Sequence, residues 1–200
     1  MAAQTYLAQV GSQHVELPIV PLSDDLAIAL LITVDLGVGF CAAAGRELAA
    51  QLDGLGVEVV ASIATMGIPI AIEVARALGQ DQYVILHKTP KIHLADAEGE
   101  PVRSITTATE QRLLLDRRRV PAVAGRRVAV VDDVVSTGAS AAAALRLLRR
   151  VGAEPVAMAA LVTEGEDWQV ELADDRSLVR SLGELPLFRP DDGGYEAVGA

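Results

Sequence analysis

The stretch 128–140, VAVVDDVVSTGAS, gathers the groups in this 200-residue chain best suited to chemistry. An apolar run leads into two adjacent carboxylates, Asp132 and Asp133. Two valines follow, then Ser136, Thr137, Gly138, Ala139 and Ser140. Ser, Thr and Gly between a strand and a helix offer hydroxyls, backbone N–H groups and a helix N-terminus, which together hold a phosphate. Gly138 permits close backbone approach or a positive φ. Carboxylates do not bind phosphate directly. Asp132 and Asp133 therefore suit sugar hydroxyls, or a Mg²⁺ that bridges hydroxyls and phosphates. Together these residues ask for a phosphorylated sugar with free hydroxyls. The plainer alternative is an Asp pair ending a strand before a capped helix, but a cap needs one Ser or Asp rather than the whole array.

Such groups need a scaffold, and the flanking pattern supplies one. Residues 57–63, 82–87, 127–131 and 154–162 are short apolar runs that read as buried strands. Residues 40–52, 68–78 and 140–151 read as helices, with Pro69 in the first turn of the second and glycines closing each. Strand–helix alternation of this kind predicts an α/β fold with a central parallel sheet covered by helices on both faces. Residues 5–10 and 14–19 read as a hairpin around Gly11-Ser12-Gln13, ended by Pro18 and Pro21, and 26–33 as a further strand. The segment 89–125 has no amphipathic helix. It reads as a hairpin excursion, with strands at 102–107 and 111–115 across a turn at 108–110.

Composition narrows the function. The formal net charge is −10, with 51% hydrophobic and 22% charged residues. This is globular composition, and an acidic chain is poorly suited to nucleic acid. One cysteine, Cys41, excludes a disulfide framework or a multi-Cys zinc site. His14, His87 and His93 lack ligand spacing. No signal peptide is visible and the apolar segment 26–45 carries Asp35 and two glycines, so the expectation is a cytoplasmic protein without a membrane span. Charge is uneven: seven arginines between 103 and 127 face only Glu110 and Asp116, whereas the chain after 163 is strongly acidic. A cationic segment in an acidic protein suggests a small anionic ligand.

The sequence Asp-Asp-Val-Val-Ser-Thr-Gly-Ala-Ser at 132–140 resembles the PRPP-binding motif of the type I phosphoribosyltransferases, and the adenine and xanthine branch or its poorly characterised relatives in particular. The resemblance covers about 57–163. It implies one domain over 1–200, with a core at about 36–163, a flexible lid hairpin at about 90–118, and a small hood from about 1–35 and 164–200. It also implies transfer of 5-phosphoribosyl from PRPP to a nucleobase, of the adenine type, with Mg²⁺, in purine salvage and as a homodimer. On this resemblance Asp132 and Asp133 hold the ribose hydroxyls and organise Mg²⁺, and 136–140 hold the 5′-phosphate. Thr65, Met66, Gly67 and Lys88 take the pyrophosphate, around a loop that in relatives often contains a non-proline cis peptide. Ser104, Thr106 and Arg112 belong to the lid.

Three positions depart from the family pattern. Ala64 stands where adenine and xanthine enzymes usually carry Glu, Met66 where Arg or Ser is frequent, and Ser136 where hypoxanthine–guanine enzymes carry an Asp that partners the base proton. A non-catalytic regulatory relative that binds PRPP or a nucleotide is thus the alternative. Glu110 and Glu164 are spare carboxylates that could serve as the base-proton partner, but the first expectation for both is solvated lid and tail charge. Cys41 is expected to pack. Tyr6 and Trp168 fall in the hood segments, where core packing is the first expectation and stacking on a purine the second.

Overall fold

The structure is a computed structural model that describes residues 4–94, 96–102 and 111–198. Five strands form the parallel sheet: β4 (Val59–Ile63), β5 (Tyr83–Leu86), β8 (Arg127–Val135), β9 (Glu154–Glu164) and β10 (Val179–Ser181), in the order β10-β9-β8-β4-β5. β11 (Glu184–Leu185) continues the edge beside β9. This is the predicted α/β architecture. β8 and β9 are almost wholly buried, which is why their sequences are continuous Val, Ala and Leu rather than alternating.

Helices cover both faces. Ala129 and Val131 of β8 turn to one core, shared with α1 (Gly37–Gln51) and α2 (Ile68–Ala77). Val128 and Val130 turn to the other, shared with α4 (Ala139–Arg150). The alanines 141–144 are all buried in that second core, small enough to bring α4 close to the sheet. A short α3 (Val120–Val123) precedes β8.

A second, antiparallel sheet joins the two ends of the chain: β1 (Thr5–Val10), β2 (Gln13–Pro21), β3 (Ala27–Ala29), β12 (Leu187–Asp191) and β13 (Gly194–Val198), in that spatial order. Pro18 does not end β2 as expected. It has no N–H to leave unpaired, and its carbonyl accepts the Leu30 N–H at 2.9 Å. The strand expected at 26–33 shrinks to β3, because a 3₁₀ turn takes up Thr33–Asp35. The hairpin expected as a lid also differs from expectation. Its strands are β6 (Ala97–Val102) and β7 (Gln111–Asp116), so Gly99, Glu100 and Pro101 lie within a strand, with Gly99 opposite Leu114. Burial of Val102, Leu113 and Leu115 against α4 fixes that register. Ser104 and Thr106 lie outside the described residues.

Candidate functional site

β8 carries its last polar residues to the carboxyl end of the sheet, where open parallel sheets bind ligands. One cavity there, about 200 Å³, is lined by Lys88, Asp132, Asp133, Ser136, Thr137, Gly138 and Ser140. The chain passes directly from β8 through this wall into α4. Gly138 makes the junction with φ +81°, and a side chain there would also press on the Trp168 backbone, because its Cβ would lie 3.1 Å from the Trp168 Cα. Ala139 opens the helix, and its N–H points at the Thr137 hydroxyl, 3.4 Å away. The first N–H groups of α4 have no partner earlier in the helix. The wall is therefore anion-seeking at one end and carboxylate-rich at the other.

Asp132 is buried, and burial pushes its carboxyl well above the ordinary 3.8. The adjacent Asp133 adds to this, while Lys88 pulls the other way. Lys88 itself is exposed, just beyond β5. Among the described residues no third carboxylate, histidine or cysteine joins the pair into a metal-binding cluster. Two carboxylates fit a Mg²⁺ that takes its remaining ligands from substrate phosphates and water, rather than a dedicated protein cage.

The loop before α2 sits against this pair. The Ala64–Thr65 peptide is cis. Thr65 is exposed and Met66 half-buried. The Met66 carbonyl accepts the buried Thr33 hydroxyl at 2.6 Å, and the Ala64 N–H reaches the Leu86 carbonyl at 2.9 Å. Gly67 closes on β8 so tightly that a Cβ would lie 2.5 Å from the Asp132 Oδ1. Thr65, Met66 and Gly67 are thus held beside Asp132, although they do not line the cavity itself.

A second cavity, about 310 Å³, opens past the end of β9. Its wall includes Tyr6, Thr163, Glu166, Trp168, Gln169 and Glu184. Trp168 lies on α5 (Asp167–Glu171), and its indole N–H donates to the Gly165 carbonyl at 3.2 Å. Tyr6 meets Phe188 edge-on at 5.4 Å between ring centroids. Both rings are half-buried, so each packs on the core and also faces the cavity. Because Trp168 also abuts Gly138, the two cavities are neighbours. A third cavity, about 340 Å³, lies at the opposite end of β4 between Glu58, Arg119 and Arg126, away from these groups.

Several expectations change here. Glu164 is not solvated: it is 6% exposed, because β11 and the strand ends close over it. Glu110 lies outside the described residues. The arginine-rich segment is largely spent on structure. Arg117 pairs with Asp96 and Glu98 at 2.7 and 2.6 Å, Arg118 with Asp116 at 2.6 Å, and Arg127 with Glu154 at 2.6 Å. Arg112 is exposed on β7 and reaches the Gly99 carbonyl at 3.4 Å, so it stays with its own hairpin rather than joining the cradle. Cys41 is buried, as expected for a packing residue. No helix among the described residues is long and apolar enough to cross a membrane.

The chain matches the phosphoribosyl transferase domain family over residues 41–184. It is 31% identical to an orotate phosphoribosyltransferase of Pelotomaculum thermopropionicum over 147 residues, 74% of this chain and 65% of that protein. It is 32% identical to the transcriptional regulator GfcR 1 of Methanosarcina barkeri over 124 residues, 62% of this chain and 54% of the relative. The matched stretch is thus less than two thirds of either relative. In fold it is similar to the adenine phosphoribosyltransferase of Giardia lamblia complexed with 9-deazaadenine, with a TM-score of 0.63 at 18% identity, over 92% of this chain and 93% of that one. The cradle, the neighbouring loop and the matched span agree, and the chain belongs to the phosphoribosyl transferase domain family.

Proposed function

We propose that this protein transfers 5-phosphoribosyl from PRPP to a nucleobase, giving a nucleoside monophosphate and pyrophosphate, and that the acceptor is an adenine-type purine. One observation carries the reading: a single cavity gathers Lys88, Asp132, Asp133 and the 136–140 turn at the C-terminal end of β8. The turn and the α4 N-terminus hold the 5′-phosphate. Asp132 and Asp133 hold the ribose hydroxyls and would hold a Mg²⁺, which would supply charge neutralisation for the leaving pyrophosphate. Thr65, Met66, Gly67 and Lys88 receive that pyrophosphate. Arg112, with Ser104 and Thr106, belongs to the lid that keeps water from the oxocarbenium-like ribose carbon. Purine salvage, a cytoplasmic setting and a homodimer go with this reading.

The neighbouring cavity supports the choice of acceptor. Among the described residues its wall offers two aromatic rings, the Gln169 amide and the acids Glu166 and Glu184, with no Lys or Arg. Such a wall suits a flat ring that donates N–H groups. It disfavours orotate, whose carboxylate would need a cation. The test is to incubate the full chain with PRPP, Mg²⁺ and each of adenine, hypoxanthine, guanine, xanthine and orotate, following pyrophosphate release. Adenine should give the fastest release. Release with orotate alone would overturn the acceptor assignment.

A second reading, a regulatory relative that binds PRPP without turnover, is favoured by the likeness to a transcriptional regulator. No release with any base, together with calorimetric binding of PRPP, would establish it over the first.

A further inference from the structure

Glu164 ends β9 at the seam between the two cavities. The residues on either side of it in the chain, Thr163 and Gly165, line the acceptor cavity, while Ser136, which follows Val135 where β8 runs beside Thr163, lines the cradle. It is buried at 6% exposure and makes no ion pair among the described residues. A buried carboxyl without a cation is costly unless it is neutral or hydrogen-bonded. Burial pushes this one above its ordinary 4.5, and the Ser136 hydroxyl partly offsets that. Glu166, two residues on, and Glu184 on β11, which pairs with Thr163, are acids. Lys88, at the same end of the sheet, acts on Asp132.

The two hydroxyls that open the turn are used differently. Thr137 faces the Ala139 N–H at the start of α4, whereas the β8–β9 register, with Val135 opposite Thr163, sets Ser136 beside Glu164. Transfer to a ring nitrogen at this seam must release that nitrogen's proton, and the carboxyl behind Ser136 is placed to receive it.

We propose that Glu164, acting through the Ser136 hydroxyl, takes up the proton that the acceptor ring nitrogen loses during transfer. This rests on the transferase reading above. In the step, the ring nitrogen's electron pair forms the bond to the ribose carbon. The bond from that carbon to pyrophosphate breaks, with its electrons leaving on pyrophosphate. The ring N–H proton passes to the Ser136 oxygen as the Ser136 proton passes to the Glu164 carboxylate, which later gives it to solvent. Ser136 is the catalytic residue in this step and Glu164 the positioning one.

The experiment is the pH dependence of kcat for the full chain with PRPP, Mg²⁺ and adenine. A base must be ionised to accept a proton, so wild-type kcat should be lost as pH falls through a value above the usual Glu range. Glu164→Gln should lose kcat by about a hundredfold, lose that acid limb, and leave the KM for PRPP within about twofold. Ser136→Ala should lose kcat similarly, and the double variant should lose little more. An active wild type whose Glu164→Gln variant keeps its rate and its acid limb, or changes only the KM for PRPP, overturns the proposal alone. Unchanged kcat in Ser136→Ala does the same, should Glu164→Gln fail to fold. A wild type silent with every base overturns the transferase reading and this proposal with it.

Discussion

The proposed phosphate cradle and the proposed acceptor wall stand side by side at the ends of adjacent strands, yet they are built in opposite ways. The cradle comes largely from one continuous stretch, 132–140, that passes from strand to turn to helix. Most of its binding groups are backbone N–H groups and short side chains whose places follow from the local fold. The acceptor wall is assembled from Tyr6 on β1, Trp168 on α5 and Glu184 on β11, segments far apart in sequence. Its groups are large side chains placed by tertiary packing. A shared reagent such as PRPP can be served by local structure, while an acceptor is chosen by parts that can change independently.

The largest expected effect tests the cradle. Replacing both carboxylates, Asp132→Asn and Asp133→Asn, should weaken PRPP binding in the presence of Mg²⁺ by about a hundredfold or more, on the order of 3 kcal/mol, as read by calorimetry. Folding should survive. The Asp132 carboxyl is held above 3.8 in the folded chain by burial. The folded state therefore binds more protons than the unfolded one between 3.8 and the raised value, and stability falls as pH rises through that window. Asn escapes that loss, so the variant's Tm at about pH 7 should be no lower than that of the wild type. Unchanged PRPP affinity would remove the site assignment, and a collapsed Tm would show that the pair is structural.

The next effect tests the acceptor wall, and whether it is separate. Trp168→Ala removes a ring that faces the cavity, and stacking on a base is worth about 1–3 kcal/mol. The KM for the base should rise by about tenfold or more while PRPP affinity changes little. An equal loss for PRPP would break the comparison, because Trp168 also leans on Gly138. In that case the two walls would be one mechanical unit.

The same contrast explains what can be read from sequence. The cradle is legible because Asp132, Asp133 and 136–140 are contiguous and each residue type has a local reason to be there. The cis peptide at Ala64–Thr65 is what the family resemblance implies for that loop, and the parallel sheet follows from the strand–helix alternation. The burial of Glu164 is not legible, because nothing in its neighbours in sequence announces it; β11, some 20 residues on, completes the edge beside it. The arginines of 103–127 mislead for a similar reason. Apart from Asp116, which pairs with Arg118, their acids, Asp96, Glu98 and Glu154, come from outside that stretch, so a local charge count does not see them. The hairpin register escapes because Gly99 and Pro101 look like turn residues until Leu113 and Leu115 find the α4 face.

The smallest effect concerns what ties the proposed lid hairpin to the helix that follows the proposed cradle. Glu100 on β6 pairs with Arg146 at 3.0 Å and with Arg150 on α4, and Arg150 also donates to the Gly99 carbonyl at 2.6 Å. Both arginines are substantially exposed, so solvent screens these pairs and each is worth about 0–1 kcal/mol. The apolar contacts of Val102, Leu113 and Leu115 are buried and should dominate the docking. Glu100→Gln should therefore lower Tm by only about 2–4 °C, and by less at high salt. Leu113→Ala, by contrast, should cost about 2–5 kcal/mol. If Glu100→Gln costs as much as Leu113→Ala, the hairpin is held by charge. Its hold on α4, and through it on the cradle, would then weaken with ionic strength, so that PRPP affinity measured across a salt series would separate the two cases.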